Sequence, residues 1–169
     1  MKKSSNEQFF SNYIKKVAFR APMIAVIGSG SCQDDIYKLS EEVGKEIAVR
    51  GGIVVCGGLF GVMEGCCKGA KSAGGFTIGI LPGISIDDAN DYVDIPIATG
   101  MNIARNAVIA QTARVAIAIS GEYGTLSEIS MFFKLGKPVI GLKTWDFVKD
   151  IIPAETPIAA VDEAFKQIL

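Results

Sequence analysis

Residues 114–128 read Arg-Val-Ala-Ile-Ala-Ile-Ser-Gly-Glu-Tyr-Gly-Thr-Leu-Ser-Glu, and this stretch decides the fold. Its first half, Arg114 to Ile119, is apolar at every position after the arginine. A strand with one wet face alternates, whereas an unbroken apolar run of this length suits a strand buried on both faces, as in a parallel sheet covered by helices. The second half changes character abruptly. Ser120, Gly121 and Gly124 make a loop, and a helical pattern runs from about Leu126 to Leu135 before Gly136 stops it. Strand, glycine loop and helix together make one βα unit.

The unit recurs along the chain. Met23 to Ile27 ends at Gly28-Ser29-Gly30 and leads into a helix over about Asp34 to Arg50, with Ile36, Leu39, Val43 and Ile47 at helical spacing. Ile53 to Cys56 ends at Gly57-Gly58, and a short helix follows over about Gly61 to Ala73. Phe76 to Leu81 forms a third strand, Tyr92 to Pro96 a short fourth, and Pro138 to Leu142 a sixth after the Arg114 run. Helices are expected over about Asn102 to Thr112 and Val161 to Ile168. The pattern predicts one Rossmann-like α/β domain over residues 21–169, with a doubly wound, mainly parallel sheet flanked by helices. Residues 1–20 form an N-terminal extension; Phe9, Phe10, Tyr13, Ile14 and Val17 suit a packed helix, and a frayed arm is the other reading. Ligands of such sheets sit at the carboxyl ends of the strands, where the strand order reverses, and the glycines cluster at those ends.

The totals narrow the function. The 169 residues are 49% hydrophobic and 21% charged, with a formal net charge of -1, so there is no basic excess of the kind duplex nucleic-acid binders carry. No apolar run approaches a membrane span, and residues 1–20 are too polar for a secretory signal, so the chain is expected in the cytoplasm. Histidine is absent, which removes histidine triads, histidine metal ligands and histidine acid–base chemistry. The four cysteines, Cys32, Cys56, Cys66 and Cys67, lack a CxxC pair and read as reduced, mostly buried thiols rather than a metal site.

Three motifs carry the chemistry. Gly57-Gly58-Leu59-Phe60-Gly61-Val62-Met63 follows a strand and opens a helix: it is either a tight turn or a place where backbone N–H groups face a ligand. Gly121-Glu122-Tyr123-Gly124-Thr125 has the same design, and its helix start suits an anion; Thr125-x-x-Glu128 is equally a capping box. Arg105, in Met101-Asn102-Ile103-Ala104-Arg105-Asn106, is a surface charge or a ligand clamp, with Ile103, Ala107, Val108 and Ala110 expected to be buried.

The ordered set of two glycine loops, Met-x-x-x-Arg-Asn and Gly-x-Tyr-Gly-Thr-x-x-Glu resembles the superfamily labelled "lysine decarboxylase", whose best understood members are the Lonely Guy phosphoribohydrolases. Within it, the Arg-Asn pair and the GTLSE run are most similar to the branch that contains the molybdenum cofactor carrier protein. The resemblance spans about Met23 to Leu142. It implies that Arg105 and Glu128 form a catalytic pair and that Gly121, Gly124 and Thr125 hold a 5′-phosphate. It further implies that Gly57, Gly58, Gly61 and Met63 line the nucleoside end, with Gly28, Ser29, Asn106 and Tyr123 completing the ligand site. No metal or cofactor is called for, the ligand is a nucleoside monophosphate or a phosphorylated pterin, and relatives form homodimers. The helix over Ile129 to Leu135 would suit that interface with Met131 and either Phe132 or Phe133. Two readings follow: a hydrolase that releases a base and ribose 5-phosphate, and a non-catalytic carrier of a phosphorylated cofactor. Ser120 and Glu122 depart from the hydrolase signature Pro-Gly-Gly-x-Gly-Thr-x-x-Glu, and an inward Glu122 would cost roughly 1 to 4 kcal/mol against a phosphate.

Overall fold

A computed structural model describes residues 21–168; the extension at residues 1–20 lies outside the described residues. In chain order the elements are β1 (Met23–Gly28), α1 (Asp34–Val49), β2 (Ile53–Cys56), α2 (Val62–Ser72), β3 (Thr77–Leu81) and β4 (Ile95–Ala98). They continue with α3 (Asn106–Thr112), β5 (Val115–Ile119), α4 (Tyr123–Lys134), β6 (Val139–Leu142), β7 (Ile152–Ala154) and α5 (Pro157–Lys166). Short 3-10 turns at Ile86–Asp88 and Asn102–Arg105 precede β4 and α3. The strands form a single sheet in the order β4-β3-β2-β1-β5-β6-β7, with every neighbouring pair parallel. The order reverses between β1 and β5, whose residues pair from Ile24 with Val115 to Gly28 with Ile119.

Alternation along each strand sorts the core into two layers. Ile24 and Val26 of β1, with Val115, Ile117 and Ile119 of β5, face α1, α2 and α5, where Val43, Ile47, Val62, Ala160 and Val161 close over them. Ala25, Ile27, Ala116 and Ala118 point the other way, against Ile109 and Ala110 of α3 and Ile129 and Phe132 of α4. The small residues on that face of β5 let α3 and α4 lie close to the sheet. Phe132 is fully buried and Phe133 only partly, as adjacent helix positions require.

Helices α1 and α2 pack through glycine. A Cβ on Gly44 would collide with the backbone carbonyl of Cys66, and one on Gly69 with that of Glu41, while one on Gly65 would meet the Ser40 hydroxyl. The two helix backbones therefore approach more closely than any side chain would allow.

Several boundaries differ from expectation. The fourth strand begins at Ile95, because the side chains of Thr77 and Asp94 replace ladder bonds between residues 92–94 and the start of β3. The Thr77 hydroxyl donates to the Tyr92 carbonyl at 2.7 Å, and the Thr77 backbone N–H donates to the Asp94 carboxylate at 3.0 Å. The expected helix at Asn102 starts as a 3-10 turn and becomes α-helical only at Asn106. Ile103 and Ala107, expected to be buried, are exposed, because this short segment packs through Asn106, Ile109 and Ala110. The last helix begins at Pro157, not Val161: Thr156 accepts a hydrogen bond from the Ala159 N–H at 3.2 Å and proline takes the first helical position. β7 was not expected, since three residues centred on Pro153 carry little strand signal; at a sheet edge the missing proline N–H is tolerated.

The glycine seam makes a prediction. Gly44→Ala and Gly69→Ala should each destabilise the protein by about 1–3 kcal/mol in urea denaturation, despite alanine's advantage of about 1 kcal/mol as a helix former. Unchanged or raised midpoints would mean that the helices separate freely.

Candidate functional site

The chain leaves β1 and β5 on opposite faces, and the gap at their carboxyl ends is a cavity of about 300 Å³. Its wall comes from four places. Gly28, Ser29 and Gly30 end β1; Gly57, Leu59 and Met63 follow β2; Asn102, Ile103, Arg105 and Asn106 approach α3; Glu122, Gly124, Thr125 and Glu128 start α4. Pro82, after β3, adds an apolar edge.

Arg105 is the electrostatic centre. Its guanidinium lies against Gly57, with the Cζ carbon 2.6 Å from where a Cβ would stand, so residue 57 must be glycine for the arginine to fit. The side chain is only 11% exposed, and its Nη1 is 3.7 Å from Oε1 of Glu128, too long for a hydrogen bond. Nε and Nη1 are buried and have no hydrogen-bond partner. Buried guanidinium donors without acceptors are costly, and the Arg105 side chain borders the cavity. Burial lowers the Arg105 pKa, while the neighbouring Glu128 charge opposes the shift.

Glu128 is itself buried, and its carboxyl is pushed up to about 7, chiefly by desolvation; Arg105 works against that rise and Cys56 adds to it. At neutral pH the group is therefore divided between acid and carboxylate. Asn106 is buried beside the pair, donates to the Ser127 hydroxyl at 3.0 Å, and Ser127 donates in turn to the Gly124 carbonyl at 2.7 Å. This relay fixes α3 to the first turn of α4.

Helix α4 starts three residues earlier than its sequence pattern indicates. Glu122 is the N-cap and makes no side-chain capping bond, so Thr125 lies inside the first turn. The Thr125–Glu128 capping box is therefore not formed. The first N–H groups of α4 have no helical acceptor, and the space beside Gly124 is open, so this helix end offers free donors to the cavity. The corresponding end of α2 does not: the Val62 N–H donates to the Ser29 carbonyl at 3.1 Å.

The expected site residues divide accordingly. Arg105, Glu128, Gly28, Ser29, Gly57, Met63, Asn106, Gly124 and Thr125 all lie on the cavity. Gly58 and Gly61 lie behind the wall. Gly58, at φ 73°, packs on Gly79 and Leu81, and Gly61, at φ 64°, packs on Ser29 and Gly30. Gly121, at φ 127°, touches Thr125 and borders a neighbouring groove with Ser120 and Glu122, while Tyr123 is 89% exposed. Gly30, Leu59, Pro82, Asn102 and Ile103 belong to the wall but were not singled out from sequence. Asn102 had a usable signal: it sits at φ 48°, a left-handed conformation that asparagine tolerates, one residue beyond Gly100-Met101. Together the wall presents donors, from Arg105 and α4, and apolar surface, from Leu59, Met63, Pro82 and Ile103.

Known proteins share this architecture. The structure of a molybdenum cofactor binding protein from Rippkaea orientalis superposes with a TM-score of 0.85 at 34% identity, covering 90% of this chain and 100% of that one. An uncharacterised protein of Archaeoglobus fulgidus is 44% identical over 139 residues, 82% of this chain and 91% of its own length. A cytokinin riboside 5′-monophosphate phosphoribohydrolase of Mycobacterium tuberculosis is 28% identical over 120 residues, 66% of this chain and 64% of that protein. The LDcluster4 model, described as the SLOG cluster4 family, matches residues 21–166, and the chain belongs to that family.

Proposed function

We propose that the chain binds a small phosphorylated ligand in the cavity and holds it without cleaving it, as a carrier for a phosphorylated pterin of the molybdenum cofactor type. The observation that carries this reading is the Arg105 guanidinium, buried at the cavity with Nε and Nη1 lacking acceptors. A phosphate placed between Arg105 and the free N–H groups of α4 would satisfy both. The apolar end, at Leu59, Met63 and Pro82, suits a flat ring system. Glu122 on the same wall adds negative charge near the phosphate end and favours a ligand that carries its own compensating donors. Similarity to the Rippkaea protein over nearly the whole chain supports the pterin class.

The Arg105–Glu128 pair favours a second reading, cleavage of an N-glycosidic bond in a nucleoside 5′-monophosphate. A carboxylate can stabilise the oxocarbenium-like transition state and position water. Glu128 at about 7 is only partly ionised at neutral pH, which weakens that role and suits a site that accepts an anion beside an uncharged acid.

The deciding experiment incubates the full chain with AMP and, separately, with molybdenum cofactor freshly released from a molybdoenzyme, following binding by titration and products by chromatography. Retention of the pterin with no ribose 5-phosphate from AMP is expected; ribose 5-phosphate release that Glu128→Gln abolishes would establish the hydrolase instead. Arg105→Gln should weaken binding of the pterin about 10- to 100-fold, the worth of a charged hydrogen bond to phosphate. A phosphate prefers a neutral Glu128 beside it, so affinity should fall as pH rises through about 7. Glu128→Gln should flatten that fall, and a slope identical in both proteins would remove Glu128 from the site.

A further inference from the structure

Cys56, Cys66 and Cys67 form a sulfur cluster beneath the cavity floor. Their three Sγ atoms lie within 4.8 Å of one another, and Cys56 and Cys67 are 3.4 Å apart. All three side chains are fully buried, and none is in a disulfide. No CxxC spacing announces the cluster, because one ligand comes from the end of β2 and two adjacent ones from the second turn of α2.

We propose that these three cysteines bind one soft monovalent cation, Cu(I), in a trigonal all-thiolate site. Three sulfurs that share one ion at about 2.3 Å stand about 3.8–4.0 Å apart, within the spread observed here. Soft thiolates select Cu(I) and zinc among biological cations. Zinc needs a fourth ligand, and the Met63 carbonyl, 3.1 Å from the Cys66 sulfur, is already the helical acceptor for the Cys67 N–H. No histidine exists in the chain to supply one. A three-coordinate ion needs no more than the cluster provides. A disulfide would engage only two of the sulfurs that the fold has gathered.

The surroundings suit thiolates. The Gly58 N–H donates to the Cys56 sulfur at 3.3 Å, and the guanidinium of Arg105 rests on the next residue, Gly57. Three thiolates around one monovalent cation leave two negative charges, and Arg105 offsets one of them. The cluster is close in sequence to the cavity wall. Gly57 and Met63 line the cavity, Cys56 precedes the first, and Cys66 and Cys67 lie one helical turn beyond the second.

The test titrates the reduced full chain with Cu(I) under anaerobic conditions against a chromophoric Cu(I) chelator. One ion per chain is expected. Cys56→Ser and Cys67→Ser should each reduce affinity at least about 100-fold, while Cys32→Ser, which alters the one cysteine outside the cluster, should leave it unchanged. X-ray absorption on the copper-loaded wild-type chain keeps the idea testable if a serine variant fails to fold: a shell of three sulfurs with no nitrogen or oxygen is expected. Failure of the chain to compete for copper, a mixed ligand shell, or loss of binding with Cys32→Ser would overturn the site. None of these readouts involves a nucleotide or a pterin.

Discussion

An arginine laid on a bare peptide organises this site. Gly57 has no side chain, so the guanidinium of Arg105 can rest on the backbone that leaves β2. That contact draws the Asn102–Arg105 turn over the carboxyl end of the sheet, and Asn106, the next residue, then reaches Ser127 and ties α4 into place. The only acidic partner of Arg105 among the described residues is Glu128, at a distance that leaves its donors unspent. A fold selected for stability alone would pair such a charge more closely or replace it, because burying an incompletely satisfied guanidinium is unfavourable. The site retains an electrostatic deficit that a ligand can remove.

The same economy of side chains shapes the opposite layer. Gly44, Gly65 and Gly69 bring α1 and α2 together backbone to backbone. With α2 pressed down, Met63 comes to the cavity wall while Cys66 and Cys67 turn toward Cys56 at the end of β2. Helix seam, cavity wall and sulfur cluster are thus consequences of one packing arrangement, and a side chain added at the seam would disturb all three.

Acidic residues distinguish this cavity from a simple phosphate cradle. Glu122 borders the start of α4, and Glu128 lines the cavity beside Arg105. Desolvation leaves Glu128 divided between acid and carboxylate near neutral pH, so the net charge at the cavity depends on a single proton. The arrangement makes the charge of the cavity, as well as its shape, a property of the folded chain.

Apolar strands with glycine at their ends, read as residues 23–30, 53–58 and 114–121, determined the parallel sheet and the end of it where the cavity lies, because a doubly covered strand and a close turn each admit few residue types. The sequence likewise singled out Arg105, Glu128 and the glycine loops as candidates, and the fold gathers them at one cavity. It did not reveal which of those glycines line the cavity. Gly57 and Gly124 do, while Gly58 and Gly61 pack behind the wall, a distinction that depends on where β3 and the β1 loop pass. Nor did local pattern place the start of α4 at Tyr123, since Thr125-x-x-Glu128 satisfies a capping rule that the tertiary position of Glu122 overrides. The gathering of Cys56 with Cys66 and Cys67, and the rise of Glu128 to about 7, belong wholly to the folded state. Both arise from residues distant in sequence sharing a volume from which water is excluded, and no local reading of the chain contains that volume.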